Sequence, residues 1–228
     1  DANLSGQTII FNRSYRIQIK IPELWNPLTS EIRLLPNYRT MTKTTEVPMT
    51  LQPYESAFVV FRTATDQKTG VGENYPAKTV ASKIETPWTV AFQSGRGGPE
   101  TPVTFNTLSD WSKNSDPKIR FFSGTATYTN TFKVSKLPQG QIYLDLGKVM
   151  VLAKVKVNGV YVGGVWTAPY RLNITNALKK GNNTLEVEVV NCWRNRLIGE
   201  KTLPENERFT FQTATYLNKD SELQPSGL

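Results

Sequence analysis

The chain has 228 residues, 38% hydrophobic and 11% aromatic, too apolar for a disordered segment and long enough for one large β domain or one and a half modest ones. Its 27 Lys and Arg against 19 Asp and Glu give a net charge of +8, most of it carried by residues 81–213. One cysteine, Cys192, and no histidine exclude an internal disulfide, a Cys- or His-rich zinc site and histidine-dependent nucleophilic catalysis.

No apolar run approaches a membrane span, and no charged-then-apolar leader is present. Asp1-Ala-Asn-Leu-Ser-Gly6 leads straight into strand-like residues, so the chain reads as a fragment that begins inside a domain. Gln7–Phe11 and Tyr15–Ile21 follow as strands, the second with Tyr15, Ile17, Ile19 and Ile21 on one face and Arg16, Gln18 and Lys20 on the other. Further runs over 31–35, 45–51 and 56–61, broken by Pro, Asn and Ser, predict an antiparallel sandwich over residues 1–63. Residues 64–83, with Asp66, Gly70, Gly72, Asn74 and Pro76 and no periodicity, predict a linker.

The second domain, 84–213, opens with the alternating strand Trp88–Phe92. Gly95-Arg-Gly-Gly-Pro99 lacks the Lys-Ser/Thr ending of a phosphate loop and reads as a wide surface turn. Tyr128, Phe132 and Val134 carry the next strand, and Leu144 and Leu146 another. Ala153, Val155 and Val157 alternate with Lys154 and Lys156, and Asn158-Gly159 then supplies the two positive-φ residues of a type I′ hairpin turn. The return strand leads to Gly163-Gly164, Trp166, Pro169 and Tyr170. Thr175 is placed to cap a helical turn ending at Gly181. Leu185, Val187 and Val189 point inward on the last strand, Glu186 and Glu188 outward. That strand is expected to end in Asn191–Gly199, with Cys192 as a small packed residue. Residues 214–228 form a polar tail, read as loosely held.

The order of these pieces carries a resemblance. The Asn-Gly hairpin, Gly163-x-x-Trp166-x-x-Pro169-Tyr170, a short helical turn, Gly181-Asn-Asn-Thr-Leu-Glu-Val187, and Asn191-x-Trp193-x-Asn195-Arg-Leu-Ile-Gly199 together resemble the sugar-binding jelly roll of family 2-type glycoside hydrolases. Arg120–Tyr128 and Tyr143–Gly147 fit the same pattern. The chain is similar in particular to the C-terminal part of glycoside hydrolase family 106, the α-L-rhamnosidase-like enzymes. Glu23-Leu-Trp-Asn-Pro27, Glu31–Pro36 and the Phe58-Val-Val-Phe61 strand resemble the β-rich piece that follows their catalytic barrel. The resemblance implies an all-β fold: a partial immunoglobulin-like sandwich followed by a galactose-binding-like jelly roll. It also implies an upstream catalytic domain as partner, a secreted or periplasmic bacterial protein acting on plant polysaccharide, and one further strand beyond Pro225-Ser-Gly-Leu228 in relatives, whose lack would leave an open sheet edge.

Glycoside hydrolysis needs two carboxylates flanking the bond, and the candidates are Asp145, Glu186, Glu188, Glu200, Glu205 and Glu207. Glu186 and Glu188 lie about 7 Å apart on one strand face by strand geometry, but alternation with inward Leu and Val is the ordinary pattern of a solvent-facing strand. Asp145 reads as exposed or paired with a basic neighbour. No catalytic residue is assigned. Carbohydrate contact has better material, because aromatic rings cover pyranose C–H faces while Arg and Asn bond hydroxyl groups. The candidates are Trp111, Trp166, Tyr170, Arg194, Asn195 and Arg196. The same aromatics could instead plug the core, as read for Trp88 and Trp193, and Arg196 could instead tie down a loop. No cofactor is implied. Jelly rolls of this type often hold a structural calcium ion, but no dense Asp/Asn cluster names a site.

The expectation is therefore an accessory, non-catalytic, carbohydrate-contacting region of a glycoside hydrolase. One rival is a free-standing carbohydrate-binding module. Another is a polyanion or nucleic-acid binder, which the scattered lysines and the lack of an aromatic-interleaved basic run disfavour.

Overall fold

The computed structural model describes residues 4–14, 17–137, 139–208, 210–211 and 216–228. Two compact units divide the chain, Asp1–Ser82 and Lys83–Leu228, and both are all-β apart from short helical turns.

The first unit contains β1 (Leu4–Asn12), β2 (Lys20–Trp25), β3 (Ile32–Leu34), β4 (Tyr38–Thr40), β5 (Thr44–Leu51), β6 (Phe58–Ala64) and β7 (Thr69–Gly70). They form two antiparallel sheets, ordered β1-β5-β4-β7 and β3-β2-β6. The two-residue period of β5 buries Thr45, Val47 and Met49. Val47 and Met49 pack with Leu24, Leu35 and Tyr38 as the core of a sandwich.

The strand expected over Tyr15–Ile21 is displaced. Tyr15 and Arg16 lie outside the described residues, Ile17–Ile19 belong to no strand, and β2 runs from Lys20 through Pro22 to Trp25. Pairing explains the shift: β2 lies between β3 and β6, and its register slips between Lys20 and Pro22, the kind of irregularity that accommodates a proline lacking its N–H. Buried Glu23 anchors this strand, accepting hydrogen bonds from Trp25 Nε1 (3.0 Å) and Arg62 Nε (3.0 Å). Those two bonds hold its carboxyl below its ordinary value.

The start of the expected linker is structured too. β6 continues to Ala64, β7 pairs with β4, and the buried Asn74 side chain accepts from Asn37 N (2.7 Å) while donating to Asn37 O and Pro48 O. Polar composition concealed this, because the stabilising contacts are side chain to backbone.

The second unit contains β8 (Trp88–Phe92), β9 (Val103–Phe105), α1 (Pro117–Arg120), β10 (Thr125–Val134), β11 (Tyr143–Asp145), β12 (Leu152–Val157), β13 (Val160–Val165), β14 (Arg171–Asn173), β15 (Gly181–Val190) and α2 (Arg194–Glu200). Six strands form one sheet, ordered β13-β12-β15-β10-β8-β9, and β11 pairs with β14. Val155, Val187, Tyr128 and Val90 are cross-strand neighbours in one row, all with no exposed surface. Leu172 and Ile174, on and just after β14, enter the same core. This is the jelly-roll layer pattern.

The hairpin turn matches its sequence reading. Asn158 (φ 52°) and Gly159 (φ 77°) both adopt left-handed conformations between the closing pair Val157 and Val160. Asn158 also braces the turn, donating to Ala177 O and Asn183 Oδ1 at 2.8 Å and accepting from Thr184 N. The turn at Thr175–Ala177 is 3-10 with Ile174 at its N-cap, and the Thr175 N–H and hydroxyl donate to Asn173 Oδ1 rather than Thr175 capping the turn itself.

Candidate functional site

Register places the loops. Phe92, Ala126, Val189, Ala153 and Val165 are successive cross-strand neighbours. The connections around 93–102, 121–124, 146–151, 166–170 and 191–200 therefore all leave the same end of the six-stranded sheet. Strands about 4.8 Å apart put the exits of β13 and β15 about 10 Å from one another. Five of the six predicted sugar contacts, all but Trp111, lie on these connections.

The structure separates the candidates by burial. Trp166 follows β13 and is 59% exposed, so a ring face is open to a ligand. Tyr170 is half-buried and packs against the core, and its backbone O accepts from Leu146 N at 2.9 Å. Trp111 is wholly enclosed: its indole N–H donates to Tyr128 Oη (2.5 Å), its ring stacks on Tyr128 at 6.3 Å, and Phe92 and Phe122 meet it edge-on. Burial pushes the Tyr128 hydroxyl up to about 12, although the Trp111 N–H opposes the shift. Trp111 has no face for a sugar to cover.

Arg194–Glu200 form a helix where a strand end was expected over 191–199. Asn195, 1% exposed, donates to Gln224 O (2.6 Å) and Ser226 Oγ (3.1 Å) and accepts from Gln224 N (2.7 Å). Arg194 Nε donates to Glu222 O at 3.1 Å, and the Arg194 side chain stays partly exposed. Arg196 Nε donates to Glu200 Oε1 at 2.8 Å, and both side chains are buried. Desolvation alone would raise the Glu200 carboxyl, but hydrogen bonds from Thr210 and Arg196 hold it below its ordinary value. Arg196 and Asn195 are therefore positioning residues of the loop cluster, and Arg194 remains open to a ligand.

The glycine-rich loop is fitted to this helix. A Cβ on Gly97 would lie 2.3 Å from an Arg196 guanidinium nitrogen, so a larger residue would displace that side chain, and the φ of 69° itself favours glycine. The loop thereby carries Arg96 over the Trp193 ring, 5.1 Å from guanidinium carbon to ring centroid. Trp193, read as a core residue, is 42% exposed. Cys192, read as packed, is exposed as well. Both differences follow from α2, which turns the chain off the sheet at Asn191. The isolated Arg96 between glycines and the helical i, i+4 spacing of Arg196 and Glu200 were the available signals.

The tail is a strap. Ser226 N donates to Asp110 Oδ1 (2.9 Å), Trp111 N donates to Ser226 O (2.8 Å), and Met150 N donates to Gly227 O (3.1 Å). Gly227 lies directly against the Trp111 indole. A loosely held tail was expected from its polarity. Its polar groups are instead the means of attachment.

Four of the candidate carboxylates are taken up by basic partners. Glu186 and Glu188 both face Lys156, whose Nζ is 2.6 Å and 3.7 Å from them. That contact raises the Lys156 pKa. Asp145 pairs with Arg171 at 2.6 Å, and Glu200 is occupied by Arg196. Among the described residues, no group of three or more His, Cys, Asp or Glu could hold a metal ion, and no helix is long and apolar enough to cross a membrane.

Comparisons with known proteins agree with this architecture. A "Putative beta-glucuronidase" from Formosa agariphila is 41% identical over 152 residues, covering 55% of this chain and 13% of the relative. The solved structure of a rhamnosidase from Novosphingobium sp. PP1Y superimposes with a TM-score of 0.87 at 39% identity, covering 99% of this chain and 21% of that one. The chain thus spans about a fifth or less of the length of either. Residues 109–222 match the family described as glycosyl hydrolase 2 galactose-binding domain-like. With the jelly-roll sheet, its loop end and the match over half the chain in agreement, the chain belongs to the glycosyl hydrolase 2 galactose-binding domain-like family.

Proposed function

We propose that this chain is the accessory, non-catalytic part of an α-L-rhamnosidase-like glycoside hydrolase of family 106, whose bond-breaking carboxylates belong to another part of the parent protein. The observation that carries the reading is the likeness to the Novosphingobium rhamnosidase along 99% of this chain, against only 21% of that enzyme. The paired or buried state of Glu186, Glu188, Glu200 and Asp145 supports it. In this reading the protein is secreted or periplasmic, bacterial, and acts on plant polysaccharide, and the jelly roll braces the enzyme while touching glycan.

The glycan contact falls to the open aromatics at the loop end of the sheet, Trp166 and Trp193, with Arg194 beside the latter. Calorimetric titration with oligosaccharides containing rhamnose and galacturonate tests this. Heat of binding is expected, with Trp166→Ala or Trp193→Ala weakening it about tenfold, the weight of one lost aromatic contact. No heat from the wild-type chain would leave bracing alone.

A further inference from the structure

Resting on that reading, we infer that the Arg96–Trp193–Arg194 cluster selects sugars bearing a carboxylate over neutral ones. At one end of one sheet the arginines outnumber the carboxylates paired with them. Arg171 and Arg196 of the same unit are neutralised by Asp145 and Glu200. Arg96, Arg120 and Arg194 have no acidic partner among the described residues. Each of the three is nonetheless held in place. Arg96 lies over the Trp193 ring at 5.1 Å, Arg120 lies over the Phe121 ring at 4.8 Å, and Arg194 is tied through Nε to Glu222 O. Phe121 in turn packs against Gly199 of α2, so the segment carrying Arg120 meets the helix that carries Arg194.

A guanidinium resting on an aromatic face has lost part of its conformational freedom before any ligand arrives, and its outer N–H groups remain available for a bidentate bond to a carboxylate. The open part of the Trp193 indole beside it suits the C–H face of a pyranose ring. Ring and cation adjacent to one another match a uronate residue, in which the C6 carboxylate sits at the edge of the sugar ring. Three separated arginines are too sparse to follow a duplex, which presents a charge about every 1.7 Å.

The test uses the 228-residue chain with three probes: hexagalacturonate, a neutral galactose hexasaccharide and a short DNA duplex. Affinity for hexagalacturonate is expected to exceed that for the neutral sugar by about tenfold or more, as one or two charge-assisted bonds imply. The ratio should fall toward one in the double variant Arg96→Gln/Arg194→Gln. A salt series on the wild-type chain gives a second reading, independent of how the variant folds: the uronate preference should shrink as salt rises, while neutral-sugar affinity stays level. Equal affinity for charged and neutral sugars overturns this inference and leaves the proposed function standing. Failure to bind either sugar overturns this inference and the glycan contact of the proposed function, leaving the bracing role alone. DNA bound as tightly as hexagalacturonate overturns the inference in favour of a general polyanion surface.

Discussion

Arg196 and Glu200 sit one turn apart on α2 with less than a tenth of either residue exposed. Removing one member leaves the other charged and enclosed, so Arg196→Ala should cost about 3 kcal/mol of unfolding free energy. Arg196→Lys should recover only part, because a single ammonium cannot reproduce the guanidinium's fixed fork. Denaturant midpoints measure both. The same pair makes a pH prediction. The folded-state pKa of Glu200 lies below its ordinary 4.5, so its stabilisation is complete above that value and is lost as pH falls through the folded one. Glu23 has the same sign. Melting temperature should therefore fall as pH drops below about 4.5, and Glu200→Gln should show a shallower fall from a lower starting point; parallel profiles would contradict this assignment. Single residues were the least legible part of the sequence. Trp111 and Trp193 look alike in one dimension, each beside polar neighbours, yet one stacks on Tyr128 inside the core and the other carries Arg96 on its open ring. What separates them is which way the chain turns after β15, and that depends on contacts to residues far along the sequence.

Elements were legible where a face is buried in a regular period. β8, β12 and β15 alternate inward apolar with outward polar residues, and Asn158-Gly159 announces its own turn geometry. Gly159→Val would place a β-branched side chain at φ 77°, costing on the order of 1–2 kcal/mol; Gly159→Asn should cost less. Val187→Ala, in the fully buried row, should cost about 2–3 kcal/mol through lost burial and the cavity left behind. Periodicity misled at Ile17 and Ile19, which belong to no strand, whereas the bulged β2 begins at Lys20 and pairs on both sides. It was also silent on the strap over 222–228, since Ser226, Gln224 and Gly227 are held through backbone groups. Removing residues 225–228 should expose the Trp111 indole, seen as a red shift of tryptophan emission together with a lower melting temperature. Unchanged emission would mean that the strap does not cover the ring.

For the whole molecule, the net charge of +8 was legible as a surface property, and the jelly roll was legible from the order of its motifs. The absence of histidine had already narrowed the chemistry to carboxylates. The structure goes further by showing four of the six candidate carboxylates engaged, Glu186 and Glu188 by Lys156, Asp145 by Arg171 and Glu200 by Arg196, while Glu205 and Glu207 lie exposed on one short 3-10 turn. A general acid must keep its proton near neutral pH, and the depressed Glu200 does the reverse. The most direct measurement is turnover of an aryl α-L-rhamnoside by the purified 228-residue chain. No release of the aryl group above the uncatalysed rate is expected. Hydrolysis that disappears when one of Asp145, Glu186, Glu188 or Glu200 is changed to its amide would contradict it.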